Sequence, residues 1–268
     1  MKKVIGFIGS GNMGQAMIGG IIKSGLISNN DVIVSDLDQK KLDFISMEYK
    51  TQVTTDSIEL VKKSDIIFLA IKPNIYSIVL KQIKEYVSED KIIISIAPGK
   101  TLENLEERLS KEIKIVRAMP NTPALVGQGM SAICKNQNVT TEELNLVKQL
   151  FESFGKAEEI PEYQFDSVIG VSGSSPAYVF MFIEALADGA VIGGMPRDKA
   201  YKFAAQSVLG SAKMVLDTGK HPGELKDMVC SPGGTTIEAV AELEEKGFRN
   251  AVIAAVKKCM EKSREMSN

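Results

Sequence analysis

The chain has 268 residues, 44% of them hydrophobic and 25% charged, with a formal net charge of −2. That length supports one large or two ordinary domains with sizeable cores, and the composition is that of a globular protein. The near-neutral charge, without a dense Lys/Arg run, supplies no electrostatic pull toward nucleic acid or an anionic membrane, so neither is expected as a partner.

The first apolar run, Val4–Ile8, follows Met1-Lys2-Lys3 and breaks at glycines. It is too short for the core of a signal peptide and reads as a strand. A glycine turn follows, then a helical pattern to about Gly25. Val32–Ser35 reads as a second strand, and Asp38 to Met47 as an amphipathic segment. Ile66–Ala70 is wholly apolar between Asp65 and Lys72-Pro73, and Ile92–Ile96 is another such run before Pro98-Gly99. Ile113–Arg117 and Met130–Cys134 read as later strands. Apolar runs without alternation suit a parallel sheet covered on both faces, and strands separated by helical segments imply βαβ units. Residues 1–161 are therefore expected to form a doubly wound, mostly parallel α/β domain of the Rossmann class.

The character changes at Glu162. Pro176–Gly193, Pro196–Gly219, His221–Cys230, Gly234–Gly247 and Phe248–Met266 all read as helices, several opened by proline and closed by glycine. Residues 162–268 are expected to be an all-α C-terminal domain, packed on the first rather than tethered, since no low-complexity linker intervenes. Ala177–Ile192 is the most apolar stretch, interrupted by Glu184 and Asp188. A span needs ~20 apolar residues, so this stretch is read as a buried helix. Pro176–Gly193 is apolar over more of its circumference than a small domain of five helices can cover, so a partner subunit is expected to cover it. The three cysteines, Cys134, Cys230 and Cys259, form neither a CxxC pair nor a metal-ligand pattern with the single His221. No metal is expected, and the sparse thiols suit a reducing cytosol.

Gly9-Ser10-Gly11-Asn12-Met13-Gly14 is a GxGxxG turn between the strand ending at Ile8 and a helix. The first glycine permits the tight turn, the second lets a pyrophosphate approach, and the third allows strand–helix packing. The free N–H groups of the helix start attract phosphate. Asp36 stands just past the second strand, roughly 20 residues on, where an acidic residue binds the adenosine ribose of NAD. The alternative is that Asp36 and Asp38 cap the next helix. A carboxylate there leans toward NADH over NADPH, and Lys40 and Lys41 soften that preference. Ala70-Ile71-Lys72-Pro73 closes a strand at the carboxyl edge of the sheet, where ligands bind. These residues join Ile8–Gly14 as candidate cofactor contacts, and Ala97-Pro98-Gly99 is expected to face the same crevice.

Three further segments carry a family resemblance. Met119-Pro120-Asn121-Thr122-Pro123, Val171-Ser172-Gly173-Ser174-Ser175-Pro176-Ala177-Tyr178 and Asp227 through Ala239 closely resemble pyrroline-5-carboxylate reductases. The resemblance runs nearly end to end, and Ser231–Ala239 is its most specific part. It implies hydride transfer from NAD(P)H to the C=N carbon of 1-pyrroline-5-carboxylate, giving L-proline in the last step of proline biosynthesis. It also implies a homodimer or larger homo-oligomer interlocked through the helical domain. By the same resemblance Ser231, Gly233, Gly234, Thr235 and Thr236 contact the substrate; Asn121 joins the cofactor set. Chemically, Ser231–Thr236 offers hydroxyls and free N–H groups before a helix, an anion seat for a carboxylate. The bland alternative is a helix start capped by Ser and Thr.

A protonated imine is already an electrophile, so no strong general acid is required. His221, in a turn between Lys220 and Pro222, reads as structural, and no proton donor is nominated. One rival class is the 3-hydroxyacid dehydrogenases, which share the Gly11–Gly14 pattern but carry a catalytic lysine on the first long helix after the Rossmann domain. Gly170 through Glu184 contains no lysine. The other is a non-catalytic dinucleotide sensor, which would have no need of the Ser231–Thr236 segment.

Overall fold

A computed structural model describes residues 3–267. The strands are β1 (Ile5–Ile8), β2 (Val32–Ser35), β3 (Gln52–Thr54), β4 (Ile66–Leu69), β5 (Ile92–Ser95), β6 (Lys114–Met119), β7 (Gly129–Lys135) and β8 (Gly155–Glu159). They form one sheet in the order β3-β2-β1-β4-β5-β6-β7-β8. Every neighbouring pair is parallel except β6 with β7. The order reverses between β1 and β4, which places a ligand crevice outside their carboxyl ends.

The central strands are buried along their whole length, and alternate residues feed two separate cores. Ile5, Phe7, Val32, Val34, Ile66, Phe68, Ile92 and Ile94 point to one face, where Phe7 stacks on Phe68 at 4.6 Å. Ile8, Ile33, Ile67, Leu69 and Ile93 point to the other. The first face is covered by α1 (Asn12–Ser24), α2 (Gln39–Tyr49) and, further along the chain, α6 (Thr141–Glu152). The second is covered by α3 (Ser57–Lys63), α4 (Tyr76–Ile83) and α5 (Leu102–Arg108). This double cover is why the strands read as continuous apolar runs. The two edge strands, β3 and β8, carry no such run. Gln52-Val53-Thr54 and Gly155-Lys156-Ala157-Glu158-Glu159 are mostly polar, as sheet edges are, and the apolar pattern passes over them.

After β8 come α7 (Phe165–Val168), one π-helical turn (Ile169–Gly173), α8 (Ser175–Ile192), α9 (Arg197–Thr218), α10 (Pro222–Val229), α11 (Thr235–Glu245) and α12 (Phe248–Ser267). No strand follows β8 among the described residues. Two compact units result: Met1–Ser174 with Cys259–Asn268, and Ser175–Lys258. This division falls later than the compositional change at Glu162, for a packing reason. Phe165 is buried with Ala132 and Cys134 beneath the Arg117 guanidinium, 4.4 Å from the ring. Glu162 Oε1 accepts hydrogen bonds from Arg117 Nη1 at 2.9 Å and from the Leu102 N–H at 2.8 Å. Near the end of α12, the Ser263 hydroxyl donates to Asp166 Oδ1 at 2.6 Å.

In the second unit, α8 and α9 share a small core of Ala187, Ala200 and Ala204. Within the single chain the apolar stretch Ala177–Ile192 is not a buried helix. Ala187 is the one fully buried residue of α8, while Phe180 and Met181 are 63% and 69% exposed. A single chain provides too little neighbouring surface to cover a helix apolar around most of its circumference. By length and composition the continuous helical stretch 162–192 also suffices to cross a membrane.

Candidate active site

The glycine turn follows directly from steric need. Gly9 sits at φ 99°, where a Cβ would stand 2.5 Å from the Ala70 carbonyl oxygen. A Cβ on Gly14 would meet the Gly9 carbonyl oxygen at 2.7 Å. A Cβ on Gly11 would meet nothing within 4 Å; it would project into open space at the helix start. Gly11 is the N-cap of α1, no side chain caps the helix, and its first turn holds no acidic residue. Uncapped N–H groups, a positive helix end and an open approach fit a pyrophosphate.

Asp36, just past β2, is tied to this turn. Its Oδ2 accepts from the Ser10 N–H at 2.9 Å and the Ser10 hydroxyl at 2.8 Å, and its Oδ1 accepts from the Asp38 N–H at 3.0 Å. Lys41 Nζ lies 3.8 Å away, and the Asp36 side chain is only 14% exposed. Burial acts to raise its pKa. The backbone N–H groups of Asp38 and Ser10, the Ser10 hydroxyl and the Lys41 charge outweigh that and hold it below the usual carboxylate value. The cap of α2 is Asp38, which accepts from the Lys40 N–H at 3.0 Å. Asp36 instead links the β2 end to the phosphate turn, a contact that spacing alone does not reveal.

Ala70 continues β4 alongside β1, its N–H donating to the Ile8 carbonyl at 2.8 Å. Lys72 is exposed and starts the short turn Pro73–Ile75. Beneath it, the buried Tyr76 hydroxyl donates to the Leu69 carbonyl at 2.8 Å and lies 3.1 Å from the Ser95 hydroxyl. Burial pushes the Tyr76 pKa well above that of a free phenol, so it stays a neutral donor that pins the ends of β4 and β5 together.

At the end of β6, Asn121 is 9% exposed. Its Oδ1 accepts from the Met130 N–H at 2.9 Å, and its Nδ2 donates to the Ser172 carbonyl at 3.2 Å and the Ser172 hydroxyl at 3.1 Å. The π-turn that holds Ser172, Ile169–Gly173, lies before Pro176, where the helix pattern in the sequence begins.

In the second unit, the Ser231 carbonyl accepts from the Gly234 N–H at 3.0 Å, and Gly233 adopts φ 66°. Gly234 is the N-cap of α11, and no side chain caps that helix. The serine and threonine hydroxyls are therefore not caps, and among the described residues Ser231, Thr235 and Thr236 make no side-chain hydrogen bond. The turn presents hydroxyls and backbone N–H groups, with Ser231 and Thr235 exposed and Thr236 half-buried within its unit. His221 Nδ1 accepts from the Gly223 N–H at 3.1 Å and caps α10.

Residues 162–266 match the family described as "Pyrroline-5-carboxylate reductase dimerisation", and residues 4–99 match "NADP oxidoreductase coenzyme F420-dependent". The pyrroline-5-carboxylate reductase of Escherichia coli (strain K12) is 55% identical over 267 residues, covering 100% of this chain and 99% of that protein. The chain belongs to the pyrroline-5-carboxylate reductase family. A family member from Methanosarcina acetivorans is 45% identical over 98% of this chain and 97% of its own length. The crystal structure of the Plasmodium falciparum enzyme, with NADP bound, superposes with a TM-score of 0.92 at 36% identity and full coverage of both chains. The family assignment brings with it an NAD(P)H-dependent oxidoreductase and a homo-oligomer formed through the helical region.

Proposed function

We propose that this chain reduces 1-pyrroline-5-carboxylate to L-proline, the last step of proline biosynthesis. The observation that carries the reading is the uncapped Ser231–Thr236 turn at the start of α11, in a chain that matches the family end to end. Such a turn suits a small carboxylate, and a dinucleotide sensor would have no use for one. The bound nicotinamide supplies the hydride. The chain's own part is to bind and to orient. Ile8, Gly9, Ser10, Gly11, Asn12, Met13 and Gly14 receive the pyrophosphate, Asp36 accepts from the ribose, and Ala70, Ile71, Lys72 and Pro73 line the crevice beside them. Ser231, Gly233, Gly234, Thr235 and Thr236 hold the substrate carboxylate through N–H and O–H donors. The imine enters protonated, so alignment rather than acid catalysis lowers the barrier. Asp36 leans the enzyme toward NADH, with NADPH also used.

Residues 1–161 form the cofactor domain and residues 162–268 the substrate and dimerisation domain. The exposed apolar surface of α8 is covered by a second copy of the chain rather than by lipid, because the dimerisation match spans that helix. Nucleic acid is not a partner at a net charge of −2. A cytoplasmic location is supported by three cysteines that are all free. Initial rates with NADH and NADPH on the imine test the activity; a folded, oligomeric protein with no turnover on either would overturn it.

A further inference from the structure

Ser172 lies in the one π-helical turn among the described residues, where the Ser174 N–H reaches back to the Ile169 carbonyl at 2.8 Å. In an α-helix the Ser172 carbonyl would accept from the residue four positions on. That residue is Pro176, which has no N–H. The donor comes instead from Asn121 Nδ2, which bonds both the Ser172 carbonyl and the Ser172 hydroxyl. The other end of the same carboxamide is fixed by the Met130 N–H. The approach is close: a Cβ on Gly173 would stand 3.0 Å from Met119 Cε, at the last residue of β6. Ser174, next in line, accepts from the Cys259 thiol at 3.1 Å. π-Turns inside helices recur at functional sites, and β6 runs parallel to β5 and β4, so its carboxyl end opens on the ligand crevice.

We propose that Asn121 is a positioning residue for hydride transfer. It supplies the donor that Pro176 withholds, and so fixes the π-turn against the crevice edge, without touching the dinucleotide. Both of its functional atoms are engaged by protein groups, so this role replaces the cofactor contact that the sequence suggested for Asn121. This inference rests on the reductase reading above.

The test uses Asn121→Ala, Asn121→Asp and Ser172→Ala in the full-length oligomer. Measured are kcat and KM for the imine, Kd for the reduced cofactor without substrate, the thermal midpoint, and the isotope effect with a 4-deuterated nicotinamide. Both Asn121 variants are expected to lose at least tenfold in kcat, with cofactor Kd within threefold of wild type and a raised isotope effect. Ser172→Ala keeps the carbonyl bond, so it should lose about threefold in kcat with an unchanged thermal midpoint. Added to Asn121→Ala, it should change kcat less than twofold. A loss of folded protein would lower kcat without moving the isotope effect, and that pattern refutes the proposal. So does cofactor affinity falling in parallel with kcat, which would make Asn121 a direct contact, or a fully active Asn121→Ala. If Asn121→Ala fails to fold, Ser172→Ala decides alone, and wild-type kcat and isotope effect there refute it. A wild type without imine turnover instead overturns the reductase reading, and this inference with it.

Discussion

Asp36→Asn removes the charge while its Oδ1 still accepts from the Ser10 N–H and hydroxyl; the bond from the Asp38 N–H is lost, because the amide NH2 that would face it only donates. Removing the acceptor altogether would loosen the phosphate turn, since each charge-assisted bond contributes roughly 1.5–3 kcal/mol. Asp36→Asn keeps the tie to Ser10, so its effect on cofactor choice reads chiefly the loss of repulsion. A carboxylate about 5 Å from a phosphate charge interacts by roughly 1–3 kcal/mol at effective dielectrics between bulk water and a protein surface. Lys41, at 3.8 Å, cancels part of that. A net about 1–2 kcal/mol remains, which corresponds to a factor of roughly 5–30 in relative affinity. The wild type is therefore expected to use NADH at least as efficiently as NADPH. Asp36→Asn should shift the ratio of kcat/KM values toward NADPH by that factor, measured from initial rates at fixed imine concentration. A wild-type NADPH preference above tenfold, or a shift below twofold in Asp36→Asn, would mean the carboxylate serves Ser10 alone and does not meet the ribose.

Gly11→Val should leave the thermal midpoint within a few degrees, because the added side chain meets nothing, yet abolish measurable cofactor binding by calorimetry. Thr236→Val should raise the imine KM about tenfold or more while the cofactor KM stays unchanged, since one hydrogen bond to a charged group contributes roughly 1.5–3 kcal/mol; an unaltered imine KM and kcat remove Thr236 from the seat. The lowered Asp36 pKa makes its contribution to stability complete above the ordinary value of 3.8 and progressively lost as pH falls below it. The difference in thermal midpoint between wild type and Asp36→Asn should accordingly hold constant from neutrality to about pH 5 and shrink in more acidic solution, and a gap that widens there would contradict the sign.

The sheet's centre was legible because β1, β2, β4 and β5 are buried on both faces and so must be apolar throughout. Its edges were not: β3 and β8 each present a polar side to water, and nothing in Gln52-Val53-Thr54 separates a strand from a loop until β2 is placed beside it. The glycine turn could be read in full, since Gly9 and Gly14 answer local steric demands and Gly11 leaves the approach to the helix start open. Asp36 was found by spacing, but its partner Ser10 lies 26 residues earlier, and that pairing is set by how β1 and β2 align. α8 reads as apolar over more of its circumference than a small helical domain can cover, and composition alone reports what such a helix must avoid and not which surface covers it. Asn121 and Ser172 both lay inside resembling segments. Their contact arises from the missing N–H of Pro176, a signal present in the sequence that acquires meaning only once the turn is known to be helical.

The last helix has a consequence for the order in which the molecule can be finished. α12 starts within the helical unit, and its final turns belong to the sheet-bearing unit. Ser263 bonds Asp166 across 97 residues of chain, and Cys259 bonds Ser174 across 85. During synthesis the sheet emerges first, yet the pieces that complete its unit leave the ribosome only after the whole of residues 175–258. Loop closure of that length is slow relative to local helix formation. The nascent sheet unit must therefore wait, incompletely packed around Asp166 and Ser174, until residues 259–267 have emerged, and shortening α12 over those residues should destabilise the unit that was made first.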